Sequence, residues 1–366
     1  MLRVAFDVHA IGQEATGNET YAEGLMRAYE AAPPDGMEMT FYHTGAFGPE
    51  ARTGQLRRLF PAWPYLRIPV VTPWRLARDR IDVAHFQYFA PPLSPCPVVL
   101  TVHDLSYEKH PEFFSPAMAS RMRRVMPRMV RMARHLIAVS KATRDDLVSV
   151  YGLDPGRISV IHNGLGAGFG KLDDAPRAMR MTARFAINRP FILCVGNLGA
   201  RKNQRQLVRA YARLARATTH DLVLVGKQAW GGDRVVEEIR ALGIGDRVHM
   251  TGFVTQEELL GLYNRATFSV YPSFYEGFGL PVLESMACGT PVITSVVSSM
   301  PEIAGDAALL VDPADEDALG AAMARLLGSA ELCVRLREAG LARSRQFSWA
   351  DAAARTVEVY RRAARR

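Results

Sequence analysis

The amino-acid sequence predicts an α/β protein with two domains, each built on a largely parallel β-sheet. The chain has 366 residues, about the length of two ordinary domains. Short apolar runs alternate with longer stretches of helical period from end to end, and the two halves open with similar strand–loop–helix segments. Apolar residues make up 48% of the chain. Each half can therefore bury a core without disulfide or metal support, and disorder is excluded.

The short apolar runs are predicted to be buried strands, and the stretches of helical period between them to be helices. The predicted strands are Leu2–Val8, Val83–Phe86, Val98–His103, Leu136–Ser140, Ile158–Ile161, Phe191–Val195, Asp221–Val225, Val248–Thr251, Phe268–Tyr271, Val292–Thr294 and Ala308–Val311. The predicted helices are Tyr21–Tyr29, Ser115–Arg134, Gln204–Leu214, Arg234–Leu242, Gln256–Asn264, Asp317–Leu327 and a last one from Trp349 to about Arg362.

An internal similarity sets the predicted domain organisation. Leu2–Val8 leads through a loop into TYAEGLMRAYEA, and Phe191–Val195 leads through a loop into QRQLVRAYARLA. This indicates two Rossmann-like domains, over residues 1–170 and 171–348, with binding edges that face across a cleft. Gly164–Pro190 has no strong period and is predicted to be the linker. The helix at 349–366 is a candidate to pack back on the first domain.

Composition also limits the partners and the compartment. The net charge of +8 indicates anionic partners without choosing among nucleic acid, a lipid surface and phosphorylated small molecules. The cysteines, Cys96, Cys194, Cys288 and Cys333, are far apart and are predicted to be buried thiols in a reducing cytosol. No apolar run is long enough for a membrane span, and MLRVAFDVHAIG lacks the features of a signal peptide. A cytoplasmic protein is expected.

The segment Phe274–Gly289 carries the clearest chemical signal. A strand ends at Pro272, and a helix is predicted from about Leu280 to Gly289. The loop before that helix therefore presents free backbone N–H groups at a positive helix end, which favours a bound anion. Glu276 and Glu284 flank this site and could accept hydrogen bonds from sugar and ribose hydroxyls. The alternative is a glycine-capped loop with two surface glutamates.

A second signal follows the strand Phe191–Val195, in Val195–Asn203. Arg201 and Lys202 lie just before a predicted helix, where the helix dipole disfavours cations. They could neutralise a departing diphosphate, with the arginine forking onto two oxygens. The alternative is a solvated pair of charges.

Two further signals lie in the first half. His103 ends the strand in VVLTVHD and could contact a sugar hydroxyl, although His85 and His162 occupy similar strand ends and a structural role is the alternative. The loop Ile11–Tyr21 contains Gly17 and could form an amide-lined rim, or an ordinary turn in which Asn18 or Thr16 caps the next helix.

Two other charged segments have simpler interpretations. Asp315-Glu316-Asp317 is interpreted as a helix cap, and no pattern in the sequence predicts a metal site. The arginine-rich helix Ser115–Arg134 could bind an anionic membrane or a phosphorylated acceptor, or be an amphipathic helix with a solvated face.

Taken together, these motifs resemble the family 4 retaining glycosyltransferases of the two-domain GT-B fold. EGFGLPVLESMACGTPVI and SSMPEIAGDAALLVDPAD resemble the family's donor-site signature, with seven residues between the two glutamates. The resemblance extends over nearly the whole chain, through VGNLGARKN, TVHDLSYEKHPEFFS, AVSKATRDDL, SVIHNG and FSWADAAARTVEVY. The HDL and RKN motifs resemble those of bacterial mannosyltransferase-like members.

The resemblance implies a role for each matching residue. It places Glu276 and His103 at the transferred sugar, Glu284 at the ribose, and Arg201 and Lys202 at the diphosphate. It assigns sugar and phosphate contacts to the amides of Gly277, Phe278, Gly279 and Leu280, and donor contacts to Gly17, Gly196 and the nucleobase-pocket residues Phe253 and Val254. Many relatives carry arginine at the position of Asn197. We therefore expect the diphosphate charge to rest on Arg201 and Lys202.

The implied activity is metal-independent transfer of a hexose, with retention, from a nucleoside-diphosphate sugar to a sugar or lipid-linked acceptor in polysaccharide or glycolipid assembly. The nucleotide sugar is a substrate and no cofactor is expected; a GDP-sugar such as GDP-mannose is slightly favoured over a UDP-sugar. Peripheral contact with the inner face of the membrane is the further expectation, and nucleic acid is not an expected partner. The alternatives are a GT-B sugar-nucleotide epimerase or phosphorylase, and a non-catalytic nucleotide-sugar or nucleic-acid binding protein.

Overall fold

The structure of the chain is a computed structural model that describes residues 1–12, 17–45 and 55–365. Two compact units make up the fold. The first unit covers residues 1–109, 116–166 and 347–366, and the second unit covers residues 110–115 and 167–346. The first unit is therefore discontinuous in sequence.

The described residues form thirteen strands and fifteen α-helices. The strands are β1 (Leu2–Asp7), β2 (Met37–His43), β3 (Gln55–Arg58), β4 (Val83–Gln87), β5 (Val98–Val102), β6 (His135–Ala138), β7 (Ile158–Val160), β8 (Phe191–Val195), β9 (Asp221–Val225), β10 (Val248–Gly252), β11 (Phe268–Tyr271), β12 (Val292–Ser295) and β13 (Ala308–Val311). The α-helices are α1 (Gly17–Ala31), α2 (Pro64–Leu66), α3 (Thr72–Arg78), α4 (Ser106–Lys109), α5 (Pro116–Met132), α6 (Lys141–Tyr151), α7 (Ala175–Met181), α8 (Gln204–Leu214), α9 (Asp233–Ala241), α10 (Gln256–Arg265), α11 (Leu280–Ala287), α12 (Met300–Ala304), α13 (Glu316–Gly328), α14 (Ala330–Ser344) and α15 (Trp349–Ala364). A π-helical turn at Arg67–Val71 joins α2 to α3.

Each unit has one fully parallel sheet, as predicted. The first sheet has the strand order β3-β2-β1-β4-β5-β6-β7 and the second β10-β9-β8-β11-β12-β13. In both, the order reverses beside the first strand of the unit, and ligands of such sheets bind beyond the carboxyl ends of the strands near that reversal. The loops after β1, β5, β8 and β11 are therefore at the edges where a site is expected.

The last helix, α15, completes the core of the first unit. Trp349 packs against two glycines so closely that a Cβ on Gly24 or on Gly164 would lie 2.2 Å from it. Farther along the helix, the buried Tyr360 hydroxyl lies 2.7 Å from His85 Nδ1. His85 Nε2 in turn lies 2.7 Å from the hydroxyl of Thr101. Residues 347–366 thus belong to the first unit although they follow the second in sequence.

The arginine-rich helix α5 is amphipathic. Met122, Met126 and Met129 are buried on one face. The arginines Arg121, Arg123, Arg124, Arg128 and Arg131 are exposed on the other. The methionines therefore serve as core packing, and the charged face is available to solvent or to a partner.

The predicted linker Gly164–Pro190 was wrong in part. Most of it belongs to the second unit and contains α7, which packs on α10. Gly261 of α10 permits this close approach, because a Cβ there would lie 2.7 Å from the Cβ of Met181. The unit boundaries fall at 166/167 and 346/347, close to the predicted 170/171 and 348/349.

A second difference concerns a short segment inside the first half. His110–Ser115 clusters with the second unit, where the ring of Phe113 stacks on that of Phe274 with centroids 5.8 Å apart. Strands β2 and β3 were not predicted, nor were helices α2, α3, α4, α6, α12 and α14. In β2, the run MEMTFYH lacks the continuous apolar character used to find the other strands.

All four cysteines are free thiols. Cys194 and Cys288 are buried as predicted, whereas Cys96 and Cys333 are only half-buried.

Within the described ranges, no helix combines the length and the apolar character that crossing a bilayer needs.

Candidate functional site

The loops after β8 and β11 lie together at the carboxyl edge of the second sheet. The backbone N–H of Phe274 donates to the carbonyl of Arg201 at 2.9 Å. Asn203, in the left-handed conformation with a φ of 58°, donates from Nδ2 to the carbonyls of Pro272 at 3.2 Å and Pro313 at 2.7 Å. These bonds fix the two motifs that the sequence singled out against each other.

The centre of this edge is a buried carboxylate held by two cations. Arg201 Nη1 lies 2.7 Å from Glu276 Oε2, and Lys202 Nζ lies 2.6 Å from Glu276 Oε1. Arg201 Nη1 also donates to the carbonyl of Tyr275 at 2.9 Å. Lys202 Nζ contacts the hydroxyl of Tyr271 and lies 4.6 Å from the centre of its ring. Arg201, Lys202 and Glu276, which were all predicted to act on the same donor substrate, are thus in direct contact.

The electrostatics of this cluster favour the ionised form of Glu276. Burial alone would raise the pKa of Glu276, but the charges of Arg201 and Lys202 outweigh it and lower that pKa to about 2. Burial lowers the pKa of Lys202, and the neighbouring Glu276 opposes this shift. Glu276 is one carboxylate between two cations, so these three side chains together carry an excess positive charge that suits an anionic ligand.

The start of α11 requires a glycine, because of both its backbone conformation and its packing. Gly279, at the N-terminal end of the helix, has a φ of 105°. A Cβ there would lie 2.4 Å from Met300 Cε. The hydroxyl of Ser299 donates to the carbonyls of Glu276 at 2.9 Å and Phe278 at 3.0 Å. These bonds fix the conformation of the loop. Gly277 and Phe278 are buried in this loop, and Leu280 begins the helix.

The second glutamate is in a different environment. Glu284 lies in α11 and accepts a hydrogen bond from the buried Tyr263 hydroxyl at 3.0 Å. Burial raises its pKa to about 7, although the bond from Tyr263 opposes the shift. Glu284 therefore changes protonation near neutral pH, whereas Glu276 stays ionised.

The turn after β8 depends on two glycines. Gly196 has a φ of 144°, and a Cβ on it would lie 3.4 Å from Lys202 Cε. A Cβ on Gly226, after β9, would lie 2.4 Å from the carbonyl oxygen of Gly196. The side chain of Asn197 accepts a hydrogen bond from the Lys227 backbone at 3.1 Å. Asn197 therefore joins the loops after β8 and β9.

The proposed nucleobase residues differ in exposure. Val254 is buried in the core cluster around Val223 and Val225. The ring of Phe253 is exposed, and Lys227 Nζ lies 4.8 Å from its centre. The nucleobase role of both residues stays a prediction.

In the first unit, His103 lies at the carboxyl end of β5. Its Nε2 donates to Gln87 Oε1 at 2.7 Å, and the ring of Tyr21 meets it edge-on at 4.9 Å. Burial lowers the pKa of His103 to about 3, so the imidazole is neutral at pH 7. Gly17 begins α1, while residues 13–16 of the same predicted loop, including Thr16, lie outside the described residues.

Several contributing residues escaped the sequence prediction. Tyr263, Tyr271, Gln87, Gly226 and Ser299 each contact or orient a predicted site residue. Tyr271, Gln87 and Gly226 lie at strand ends, which is a signal that could have found them. Ser299 immediately precedes α12 within the SSMPEIAGD motif, and Tyr263 lies on a helix. Among the described residues, no three His, Cys, Asp or Glu side chains are grouped as metal ligands would be.

The fold and this site define a class of protein: a glycosyltransferase of the GT-B fold. Two family descriptions match the chain, "Glycosyltransferase Family 4" over residues 15–166 and "Glycosyl transferases group 1" over residues 180–343. The chain belongs to this family.

Similar proteins support the same assignment. The chain is 30% identical over 292 residues to the O-antigen chain mannosyltransferase B of Escherichia coli, covering 79% of this chain and 76% of that one. It is 35% identical over 243 residues to the MMP alpha-(1->4)-mannosyltransferase of Mycolicibacterium hassiacum, covering 64% of this chain and 56% of that one. The structure of Anabaena Alr3699/HepE in complex with UDP and glucose superposes with a TM-score of 0.78 at 18% identity, covering 99% of this chain and all of that one. The two similar mannosyltransferases favour transfer over the epimerase, phosphorylase and binding-only alternatives.

Proposed function

We propose that this glycosyltransferase moves mannose from GDP-mannose to an acceptor hydroxyl, with retention at the anomeric carbon and without a metal ion. The observation that carries the proposal is the contact of Arg201 and Lys202 with Glu276 beside the start of α11. This cluster provides fixed positive charge for a diphosphate and a carboxylate for sugar hydroxyls within a few ångströms of each other.

The cluster would rearrange when the donor binds. Without donor, Glu276 pairs with both cations and compensates part of their charge, so that neither is buried without a carboxylate partner. A bound diphosphate would take over Arg201 and Lys202 and release Glu276 to accept hydrogen bonds from the sugar. The amides from Gly277 to Leu280 would add donors at the helix end. Glu284, in its ionised form, would accept bonds from the ribose hydroxyls.

The reaction itself requires stabilisation of the leaving group. The bond from the anomeric carbon to the diphosphate oxygen breaks, and its electron pair stays on the diphosphate. The acceptor oxygen bonds to the same face of the anomeric carbon, and its proton passes to the departing phosphate oxygen. Arg201 and Lys202 would stabilise the charge that develops there, as preorganised donors do. The neutral His103 would act on the sugar by hydrogen bonding rather than by charge.

Mannose is the proposed sugar because both similar enzymes named above are mannosyltransferases. GDP is proposed over UDP because the HDL and RKN motifs resemble those of bacterial mannosyltransferases, whereas the structural neighbour HepE was solved with UDP. The base is therefore the feature that an experiment must decide.

We further propose that the acceptor is a sugar or lipid-linked glycan in polysaccharide or glycolipid assembly. The enzyme would be cytoplasmic and would act at the inner face of the membrane. The net charge of +8 and the exposed arginines of α5 support contact with an anionic surface.

The test is a binding and hydrolysis panel of GDP-, UDP- and ADP-sugars, each measured with and without excess chelator. We expect GDP-mannose to bind most tightly, and its slow hydrolysis to continue in chelator. Turnover that stops in chelator would contradict metal independence, and a β-mannosidic linkage in a transfer product would contradict retention. No binding by any sugar nucleotide would overturn the transferase proposal.

Single substitutions test the cluster itself. We expect Lys202→Ala to lower turnover by about 10²-fold or more, because it removes a charge that acts on the leaving group. Arg209→Ala is the matched control, since Arg209 is a nearby exposed cation paired with Glu238 at 2.7 Å. Near-normal turnover by Lys202→Ala would contradict the proposed role.

A further inference from the structure

The first unit carries a surface strip of large apolar side chains between β3 and α3. Six of them are exposed: Phe60 76%, Trp63 62%, Tyr65 69%, Leu66 38%, Val70 55% and Trp74 55%. We call residues 60–74 the apolar strip. Scattered exposed apolar residues are ordinary on a protein surface, but six within fifteen residues of sequence, with the rings of Trp63 and Tyr65 5.4 Å apart, indicate an interaction site.

The apolar strip is anchored by buried residues on its inner side. Leu59, Thr72 and Leu76 are buried beneath it. Arg67 also points inward, where its Nη1 lies 3.4 Å from the buried carboxylate of Asp7. Because these residues hold the backbone, the aromatic side chains remain outside while the chain itself is fixed.

The outer side is surrounded by positive charge. Residues 57–80 contain six arginines and one aspartate. Arg58, Arg78 and Arg80 are exposed and form no ion pair with any carboxylate in the described ranges. Arg78 lies over the ring of Trp74 at 5.2 Å. Arginine next to exposed tryptophan and tyrosine is the composition of a segment that lies in the interface of an anionic membrane.

A sugar-binding platform would need a different composition. Aromatic rings that stack on sugars are accompanied by polar side chains that bond the hydroxyls. Residues 59–71, LFPAWPYLRIPVV, contain no amide, carboxylate or aliphatic hydroxyl side chain. The one charged side chain there, Arg67, faces inward. The strip therefore matches a lipid surface and not a glycan.

We propose that the apolar strip seats the first unit on an anionic lipid bilayer, with Trp63, Tyr65 and Val70 entering the interface and Arg58 and Arg78 contacting lipid phosphates. This deepens the proposed function, because it identifies the surface that would bring the enzyme to a lipid-linked acceptor. The prolines at 61, 64, 69 and 73 stiffen the segment. Little conformational entropy is then lost when it binds.

The experiment is cosedimentation of the full chain with vesicles of phosphatidylcholine and phosphatidylglycerol in equal parts, and with vesicles of phosphatidylcholine alone. We expect clear binding to the first and weak binding to the second. Trp63→Ser/Tyr65→Ser/Val70→Ser should weaken binding at least about tenfold, because apolar burial is lost. Arg58→Gln and Arg78→Gln should each weaken it about fivefold at low salt.

A double variant at exposed apolar residues outside the strip, Leu93→Ser/Trp230→Ser, is the matched control and should bind as the unaltered protein does. Phe60→Ser alone is the second variant if the triple variant fails to fold. Unchanged vesicle binding by the strip variants would overturn the proposal. So would a dimer in solution that the triple variant converts to a monomer, or a loss of transfer to a soluble acceptor as large as the loss of vesicle binding.

The vesicle assay uses neither donor nor acceptor. Absence of glycosyl transfer with normal vesicle binding would therefore contradict the proposed function alone. Normal transfer to a soluble acceptor with no vesicle binding would contradict the membrane proposal alone.

Discussion

Two buried carboxylates in the second unit have pKa values that their surroundings shift in opposite directions. Glu276 faces Arg201 and Lys202, and its pKa falls to about 2. Glu284 accepts a hydrogen bond from the Tyr263 hydroxyl, and burial raises its pKa to about 7. Two carboxylates whose pKa values differ in this way take different roles in one site. The first is a permanent charge, and the second is a group whose charge depends on pH and on bound ligand.

Donor affinity should depend on the protonation of Glu284. Ribose hydroxyls donate to an ionised carboxylate, so we expect the affinity for GDP-mannose to rise severalfold, at most about tenfold, between pH 6 and pH 8. The diphosphate diester of the donor loses no proton in this range. Titration calorimetry at both pH values measures the change, and Glu284→Gln should abolish it. A pH dependence that persists in that variant would assign it to another group.

Stability should also respond to Glu284, with a defined sign. Its pKa is higher in the folded chain than in the unfolded chain, so the folded state binds the proton more tightly and loses that stabilisation as pH rises from about 4.5 to about 7. Relative to the unaltered protein, Glu284→Gln should gain about 2 kcal/mol between pH 5 and pH 8. Urea unfolding at the two pH values measures this difference. A relative loss at pH 8 would mean that Glu284 is stabilised as the anion.

At the scale of the elements, the position of the Arg201–Lys202 loop depends on the contact between two turns. The turn after β9 approaches the turn after β8 so closely that only a glycine fits at position 226, where φ is 140°. The obstacle to a larger residue is the backbone carbonyl of Gly196, which cannot move aside as a flexible side chain can.

Substitution at Gly226 should therefore affect both folding and donor binding. We expect Gly226→Ala to lower the free energy of unfolding by at least about 2 kcal/mol and to weaken donor affinity. Gly243→Ala is the control, because φ there is 65° and no atom lies within 4 Å of the added Cβ. Denaturant unfolding of both variants separates the steric cost from the cost of a positive φ. Equal losses would show that the contact with Gly196 is unimportant.

Most elements of this fold were predictable because parallel strands buried on both faces form continuous apolar runs. Strand β2 escaped because Glu38 and Thr40 interrupt its apolar run. Helix α7 was assigned to a linker because its stability comes from packing on α10 across Gly261, which no local pattern records. In the site, Arg201, Lys202 and Glu276 were predictable from their places at strand ends. The bond from Tyr263 to Glu284 was not, since it joins positions 21 residues apart.

At the scale of the whole molecule, the first unit depends on residues from both ends of the chain. Tyr360 of α15 is hydrogen-bonded to His85 of β4, and His85 is hydrogen-bonded to Thr101 of β5. Thr101 and Tyr21 of α1 share a further hydrogen bond of 2.8 Å. Burial lowers the pKa of His85 to about 3, so this histidine is a neutral structural member of the network.

Breaking this network should destabilise the protein without removing an apolar contact. We expect Tyr360→Phe to lower the free energy of unfolding by about 1–3 kcal/mol, because it leaves His85 Nδ1 buried without its partner. The control Tyr65→Phe removes an exposed hydroxyl and should change little. Thermal and urea unfolding measure both. No loss in Tyr360→Phe would show that the hydroxyl contributes no net stabilisation.

The discontinuity of the first unit has a consequence for synthesis on the ribosome. The segment 1–166 is made before residues 167–346, but Trp349 and Tyr360, which fill its core, are made after them. At about 5–20 residues per second, roughly 10–40 s pass before those side chains arrive. The second unit can finish folding during this interval. The first unit stays incomplete, because α15, which packs on α1, has not yet been made. A nascent chain of this enzyme is therefore most exposed to aggregation at its oldest part, and holding chaperones should bind there.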